Sequence, residues 1–111
     1  MVVGLLSPPQ ADKVFHALAD ATRRDIVCTV LAEEHSVSAL ARRYPMSFAA
    51  VQKHVAVLEE AGLVQKRRSG REVLVGGVID RVRDARRALD SFEQLWRDRV
   101  AQMDQVLNED P

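Results

Sequence analysis

At 111 residues the chain can bury one hydrophobic core and little more, and its 47% apolar and 29% charged content excludes a disordered tail or a fibrous repeat. No apolar run approaches the length of a membrane span, and the opening MVVGLL is too short and lacks the basic flank of a signal peptide, so no membrane partner is expected and the chain is expected in the cytoplasm. The formal net charge of zero argues against a polyanionic partner until its distribution is read. Residues 36–77 carry Arg42, Arg43, Lys53, Lys66, Arg67, Arg68 and Arg71 against Glu59, Glu60 and Glu72, so seven cations less three carboxylates leave +4, while residues 1–35 and 78–111 are each −2. The middle of the chain therefore presents a local basic footprint despite the neutral total.

The first element is announced by Ser7-Pro8-Pro9-Gln10. Serine serves as N-cap, proline takes the first helical position, and glutamine three residues after the cap closes a capping box. This helix is expected to run to about Ala19 and to bury Val14, Phe15 and Leu18. Asp20 caps a second helix from Ala21, whose apolar face is Ile26, Val27, Val30 and Leu31. Cys28 lies inside that helix and is expected to be a small buried hydrophobe rather than a redox switch; a lone cysteine forms no intramolecular disulfide and fits a reducing compartment.

After the polar break Glu33–Ser36, Ser38 is expected to cap a third helix with Leu40, Ala41 and Tyr44 inward, ended by Pro45. Ser47 then caps a fourth helix with apolar residues at Val51, Val55, Leu58 and Ala61, one stripe at helical spacing, and Gly62 stops it in the left-handed conformation. Its opposite face offers Phe48, Ala49, Gln52 and Lys53, with His54 on the flank, and carries no acid before Glu59. Two helices joined by so short a turn, the second amphipathic with a basic outer face, form a helix-turn-helix.

Leu63 to Lys66 reads as a strand, Arg67–Arg71 as a basic turn with Ser69-Gly70 at its tip, and Glu72–Val75 as the returning strand, which Gly76-Gly77 breaks. A basic-tipped hairpin directly after a recognition helix makes a winged helix; the competing reading of Arg67, Arg68 and Arg71 is a solvated edge hairpin protected by charge. A last helix is expected from Val78 to Leu107, apolar at Ile79, Val82, Ala85, Leu89, Phe92, Trp96, Val100, Met103 and Leu107. Such a helix would be about 43 Å long, more than one small domain covers. A second copy of the chain is the expected partner of this stripe, through Leu89, Phe92, Trp96, Val100 and Met103; the alternative folds Trp96 back onto the first helix of its own chain.

The fold expected is thus mainly α with a small β-hairpin: a single winged helix-turn-helix domain over residues 1–111, with about five helices, a core over 10–77 and a dimerisation helix over 78–107. In such a fold Ser47, Phe48, Ala49, Gln52, Lys53 and His54 of the recognition helix would meet double-stranded DNA, with Arg42, Arg43, Lys66, Arg67, Arg68 and Arg71 on the adjacent backbone or minor groove. Gln52 can bond an adenine edge twice, Phe48 and Ala49 can touch a thymine methyl, and Phe48 can equally pack on the third helix. Lys53 and His54 suit phosphates.

Together, Leu18-Ala19-Asp20-Ala21-Thr22-Arg23-Arg24-Asp25-Ile26-Val27, Val37-Ser38-Ala39-Leu40-Ala41, Met46-Ser47 with Ala50-Val51, His54 before Leu58, and Ala61-Gly62-Leu63-Val64 resemble the ArsR-type bacterial winged-helix repressors in order and spacing. The resemblance covers residues 12–76 closely and the last helix loosely. It implies a homodimeric transcriptional regulator, usually a repressor, that binds an inverted-repeat operator, its own promoter among the candidates, and releases it on a signal. Against the family pattern, Ala21 stands where proline is common, and Gln52-Lys53 where serine and arginine precede the histidine, which alters base preference.

Metal-sensing members carry a cysteine pair in the third helix or Asp and His ligands in the last. Here the third helix has no cysteine and residues 78–111 contain no histidine, and His16, His35 and Cys28 fall on different elements. No metal or other cofactor is therefore expected, which leaves the effector unknown. An enzyme is not expected either, because these side chains make no nucleophile, base and orienting group at any recognisable spacing. The competing class is a winged helix used as a protein-interaction module for an acidic partner; the acid-free first half of the recognition helix and the basic hairpin tip favour DNA.

Overall fold

The computed structural model describes residues 6–109, so most of the opening MVVGLL lies outside the described residues. In chain order the elements are α1 (Pro8–Leu18), α2 (Ala21–Ala32), β1 (His35–Ser36), α3 (Val37–Ala41), α4 (Phe48–Glu60), β2 (Val64–Ser69), β3 (Glu72–Gly77) and α5 (Ile79–Asn108). Among the described residues there are five helices and a small antiparallel sheet of order β1-β3-β2, which is the winged helix-turn-helix expected.

Three of the helix starts are those the sequence announces. The Ser7 hydroxyl accepts from the Gln10 amide at 3.3 Å while the Gln10 side chain accepts from the Ser7 amide at 2.9 Å, the reciprocal box. Asp20 accepts from the Arg23 amide at 3.0 Å, and Ser47 from the Ala50 amide at 3.1 Å. Helix α3 departs from expectation: its cap is Ser36, which accepts from the Ala39 amide at 3.0 Å, and Ser38 sits inside the helix. Tertiary pairing decides between the two serines. His35 and Ser36 lie opposite Val75 and Leu74 of β3, so the chain is extended through Ser36 and can turn helical only after it.

The same helix stops at Ala41 rather than at Pro45, with the Arg43 amide bonded to the Leu40 carbonyl at 3.0 Å in a tight last turn. Tyr44 leaves the helical path, and its hydroxyl donates to Asp25 of α2 at 2.6 Å. The residue before proline is itself disfavoured in the helical region, so the break begins upstream of the ring.

Val51, Val55 and Leu58 of α4 are wholly buried, together with Val14, Ile26, Leu40, Leu63 and Val75 from the surrounding elements. Each such side chain contributes about 1.5–3 kcal/mol on leaving water, and three on one stripe fix the helix's rotation. Gly62 (φ +80°) closes α4 as a Schellman motif: the Gly62 amide donates to the Glu59 carbonyl and the Leu63 amide to the Leu58 carbonyl, both at 3.0 Å. In α1, Val14 is buried as expected, whereas Phe15 and Leu18 are only half-buried and Ala17 fills the remaining core position. Cys28 is exposed, contrary to expectation. Ile26, Val27 and Val30 define the inner face of α2, and at 100° per residue position 28 lies across the helix from their mean.

The wing is longer than the sequence suggests. Arg67, Arg68 and Ser69 belong to β2 rather than to a turn, leaving Gly70 and Arg71 as the tip, with Gly70 at φ +61°. Gly76 and Gly77 do not break the hairpin but complete β3, opposite Gln65 and Val64. Close approach explains them: a Cβ at Gly77 would lie 2.6 Å from Cδ2 and 3.0 Å from Cα of Leu31, and one at Gly76 would lie 3.3 Å from the Glu34 side chain. The last turn of α2 rests directly on the strand backbone.

Helix α5 is about 45 Å long at 1.5 Å per residue and projects from the body, giving the chain extents of 75 × 29 × 24 Å. Only Ala85 of this helix is buried. Among the described residues no helix is long and apolar enough to cross a membrane.

Gly77→Ala is expected to destabilise the fold by about 1–3 kcal/mol, because the added methyl meets Leu31 backbone that cannot rotate away. Urea unfolding followed by circular dichroism measures it, and wild-type stability in that variant would contradict the close packing of α2 on β3.

Candidate nucleic-acid interface

With its apolar stripe turned inward against α1, α2 and α3, helix α4 must present the opposite arc to solvent. Ser47, Phe48, Ala49, Gln52 and Lys53 are all exposed there, followed by Ala56 one turn on. Phe48 is among the exposed large hydrophobic side chains, with 46% of its surface open. Ser47 combines two duties, because its oxygen is already engaged as the cap while its position heads the exposed face.

The carboxylates nearest this face are neutralised by neighbours. Glu59 pairs with Lys66 of the wing root at 3.5 Å, and Glu60 with Lys13 of α1 at 3.2 Å. Arg42 and Arg43 are exposed on the segment leading into α4. Within residues 36–77 Arg42, Arg43, Lys53, Arg68 and Arg71 form no ion pair, and these five are the cations of that segment open to an external anion.

Strand parity sorts the remaining basic groups. Lys66 and Arg68 stand opposite Val75 and Val73 on one face of the hairpin, and Arg67 stands opposite Leu74 on the other. On that second face Glu34 lies over Gly76 and takes Arg67 in a two-pronged bond, Nε to one carboxylate oxygen at 3.0 Å and Nη2 to the other at 2.8 Å. The Arg67 guanidinium holds the Glu34 carboxyl below its ordinary value, so this contact is present at neutral pH and weakens as pH falls through the lowered value. Arg67 and Lys66, expected to meet DNA, are thus engaged within the chain, and the wing offers Arg68 and the tip residue Arg71.

His54 also departs from its expected surroundings. It is half-buried on the α1–α2 flank of α4, with Nδ1 3.3 Å from Nη1 of Arg23. Neither Arg23 nor Glu34 is singled out by spacing or residue type, because each acts through a partner at least thirty residues away in sequence.

A second surface lies on α5. Leu89, Phe92, Leu95, Trp96, Met103 and Val106 are exposed and Val100 is half-buried, so the stripe extends along one side of the projecting half of the helix. Trp96 does not fold back onto α1; 57% of its surface is open, as is 64% of Phe92. Leu95 and Val106 widen the stripe beyond the residues expected from sequence, since they fall on its flank rather than along its centre.

Comparison with known proteins agrees with this architecture. A helix-turn-helix domain family matches residues 18–67, from the end of α1 into the wing. The HTH-type transcriptional regulator Rv2034 of Mycobacterium tuberculosis is 44% identical over 59 residues; the match takes in 53% of this chain and 55% of that protein, so the chain spans little more than half of that relative's length. An ArsR-like transcriptional regulator from Rhodococcus sp. RHA1 superposes with a TM-score of 0.80 at 30% identity, over 92% of this chain and 96% of that one. The homodimeric winged helix-turn-helix DNA-binding domain of Mb0332 from Mycobacterium bovis superposes with a TM-score of 0.63 at 26% identity, over 81% of this chain and 80% of that one. With a regulator of this kind matched along nearly its entire length, the chain belongs to the ArsR-type family of winged helix-turn-helix transcriptional regulators.

Proposed function

We propose that this regulator works as a cytoplasmic homodimer that binds double-stranded DNA at an inverted-repeat operator, its own promoter among the candidate targets, and represses transcription until a signal releases it. The observation that carries this reading is the exposed arc of α4, acid-free before Glu59 and flanked by Arg42, Arg43, Arg68 and Arg71, none of which is ion-paired among the described residues. The first turns of α4 enter the major groove, where Gln52 bonds an adenine edge and Phe48 and Ala49 contact thymine methyls. Ser47 and Lys53 serve the flanking phosphates, with Arg42 and Arg43 beside them; Arg68 and Arg71 of the wing follow the adjacent backbone. Dimerisation is supported by the uncovered stripe of α5 and by the homodimeric state of the Mycobacterium bovis domain. Leu89, Phe92, Trp96, Val100 and Met103 of two copies cover one another about a two-fold axis.

Base and phosphate roles predict different signatures. Gln52→Ala should cost about 1–3 kcal/mol on the operator and little on random DNA. Arg68→Ala should weaken both alike and lower the salt slope by about one. Arg67→Ala, whose charge Glu34 already occupies, should leave that slope near wild type. Mobility shifts over a salt series measure all three. Equal losses on both DNAs for Gln52→Ala would remove it from the base-reading set, and a wild type that retards no DNA would leave the protein-interaction module as the surviving reading.

Phe92→Ala combined with Trp96→Glu removes aromatic area and places a charge where the partner packs. Sedimentation equilibrium at micromolar concentration should give a dimer for wild type and a monomer for the variant. Operator affinity should fall with it, because half-sites about 34 Å apart need two linked recognition helices. A monomeric wild type would contradict the proposal.

A further inference from the structure

Arg23 is tied down more fully than a half-exposed arginine requires. Its backbone amide donates to Asp20 at 3.0 Å, its Nε to the Ala17 carbonyl at 2.7 Å, and its Nη2 to the His16 carbonyl at 3.0 Å. Those carbonyls close α1, where a helix dipole favours a cation. The remaining arm, Nη1, reaches 3.3 Å from Nδ1 of His54 in the middle of α4. A guanidinium has only donors, so Nδ1 must supply a lone pair and the ring proton must sit on Nε2. An imidazolium, with a proton on both nitrogens, could not accept this bond and would add a second positive charge beside the first. Among the described residues the acid at this junction is Asp20 in the α1–α2 turn; its carboxyl is held below its ordinary value first by the hydrogen bond from the Arg23 amide, with the Arg23 charge adding to the effect.

Resting on the reading of α4 as the DNA-recognition helix, we propose that Arg23 is a positioning residue for DNA recognition, a bracket that holds α4 at its angle to α1 and α2 through a neutral His54. His54 in this arrangement is a strut and not a phosphate-binding cation. The buried stripe fixes the rotation of α4 about its own axis, and this contact fixes the helix's lean along the flank that the stripe leaves open. Gln52 and Lys53 sit immediately before the strut, so tilting at His54 displaces the residues that meet the groove.

Nitrogen-15 spectra of the labelled full chain read the imidazole state directly, with the His54 signal identified by its absence in His54→Gln. Wild type should show His54 neutral with the proton on Nε2 at neutral pH, and Arg23→Gln should convert it to a mixture of tautomers. On operator DNA, Arg23→Gln and His54→Leu should each weaken binding about tenfold, the scale of one lost hydrogen bond to a charged group. His54→Gln, whose side-chain oxygen can still accept from Arg23, should stay within about twofold of wild type, a rescue that volume alone does not provide. Random-DNA affinity and the salt slope should be unchanged in all three, and thermal melts identify any variant lost to misfolding.

An imidazolium or an Nδ1-protonated ring in wild type overturns the proposal. So does a His54→Gln variant that loses as much as His54→Leu with a shallower salt slope, since His54 would then be a phosphate contact. A wild type that binds DNA while Arg23→Gln binds it equally well overturns the positioning role alone. A wild type that binds no DNA overturns the DNA reading, and the positioning role with it.

Discussion

The burial of Val51, Val55 and Leu58 is the constraint from which the functional surface follows. A helix has one rotation about its axis, and three wholly buried side chains on one stripe consume it. Every other position on α4 is then assigned a direction by 100° steps. Gln52 and Lys53 face solvent because Val51 and Val55 cannot, and His54 falls on the flank toward the end of α1. The caps do the corresponding work along the axis: Ser47 and Gly62 set where α4 begins and ends, and so which turns stand at the exposed end.

Electrostatics then refine what packing presents. The basic middle of the chain looks uniform in sequence, yet the fold divides it into groups that hold the structure and groups that remain open. Lys66 ties the wing root to α4, and Arg67 ties the wing to the end of α2 through Glu34. Both contacts are solvent-exposed, so neither contributes much stability. Their consequence is selective: they occupy two cations and leave Arg68 of β2 and Arg71 at the tip as the wing's share of the external field. A chain of zero net charge can therefore carry a positive surface, because its carboxylates are spent on α1, on the far side of the wing and along α5.

What was legible in the sequence was whatever local chemistry decides. The caps at Ser7, Asp20 and Ser47, the stop at Gly62 and the inward stripe of α4 each depend on residues within a turn or two of one another. The misreadings share a different cause. Ser36 rather than Ser38 caps α3 because a strand thirty-eight residues later holds Ser36 extended. Gly76-Gly77 reads as a break, but the glycines are there because Leu31 and Glu34 rest on them. Arg67 and Arg68 read alike in a turn, which has no parity; in β2, alternation sends them to opposite faces. Cys28 is instructive in the other direction. Helical periodicity puts position 28 outside, and only the general tendency of thiols to be buried points inward.

The exposed stripe of α5 and the exposed arc of α4 acquire their purpose together, since a second copy joined through α5 doubles the recognition helices and relates them by a two-fold axis. Hydroxyl-radical footprinting of wild type on the promoter of its own gene tests this union most directly. Two copies reading an inverted repeat should protect two backbone tracts on one face of the duplex, centred about 34 Å apart and related by symmetry. A single protected tract under saturating protein would contradict the two-fold arrangement.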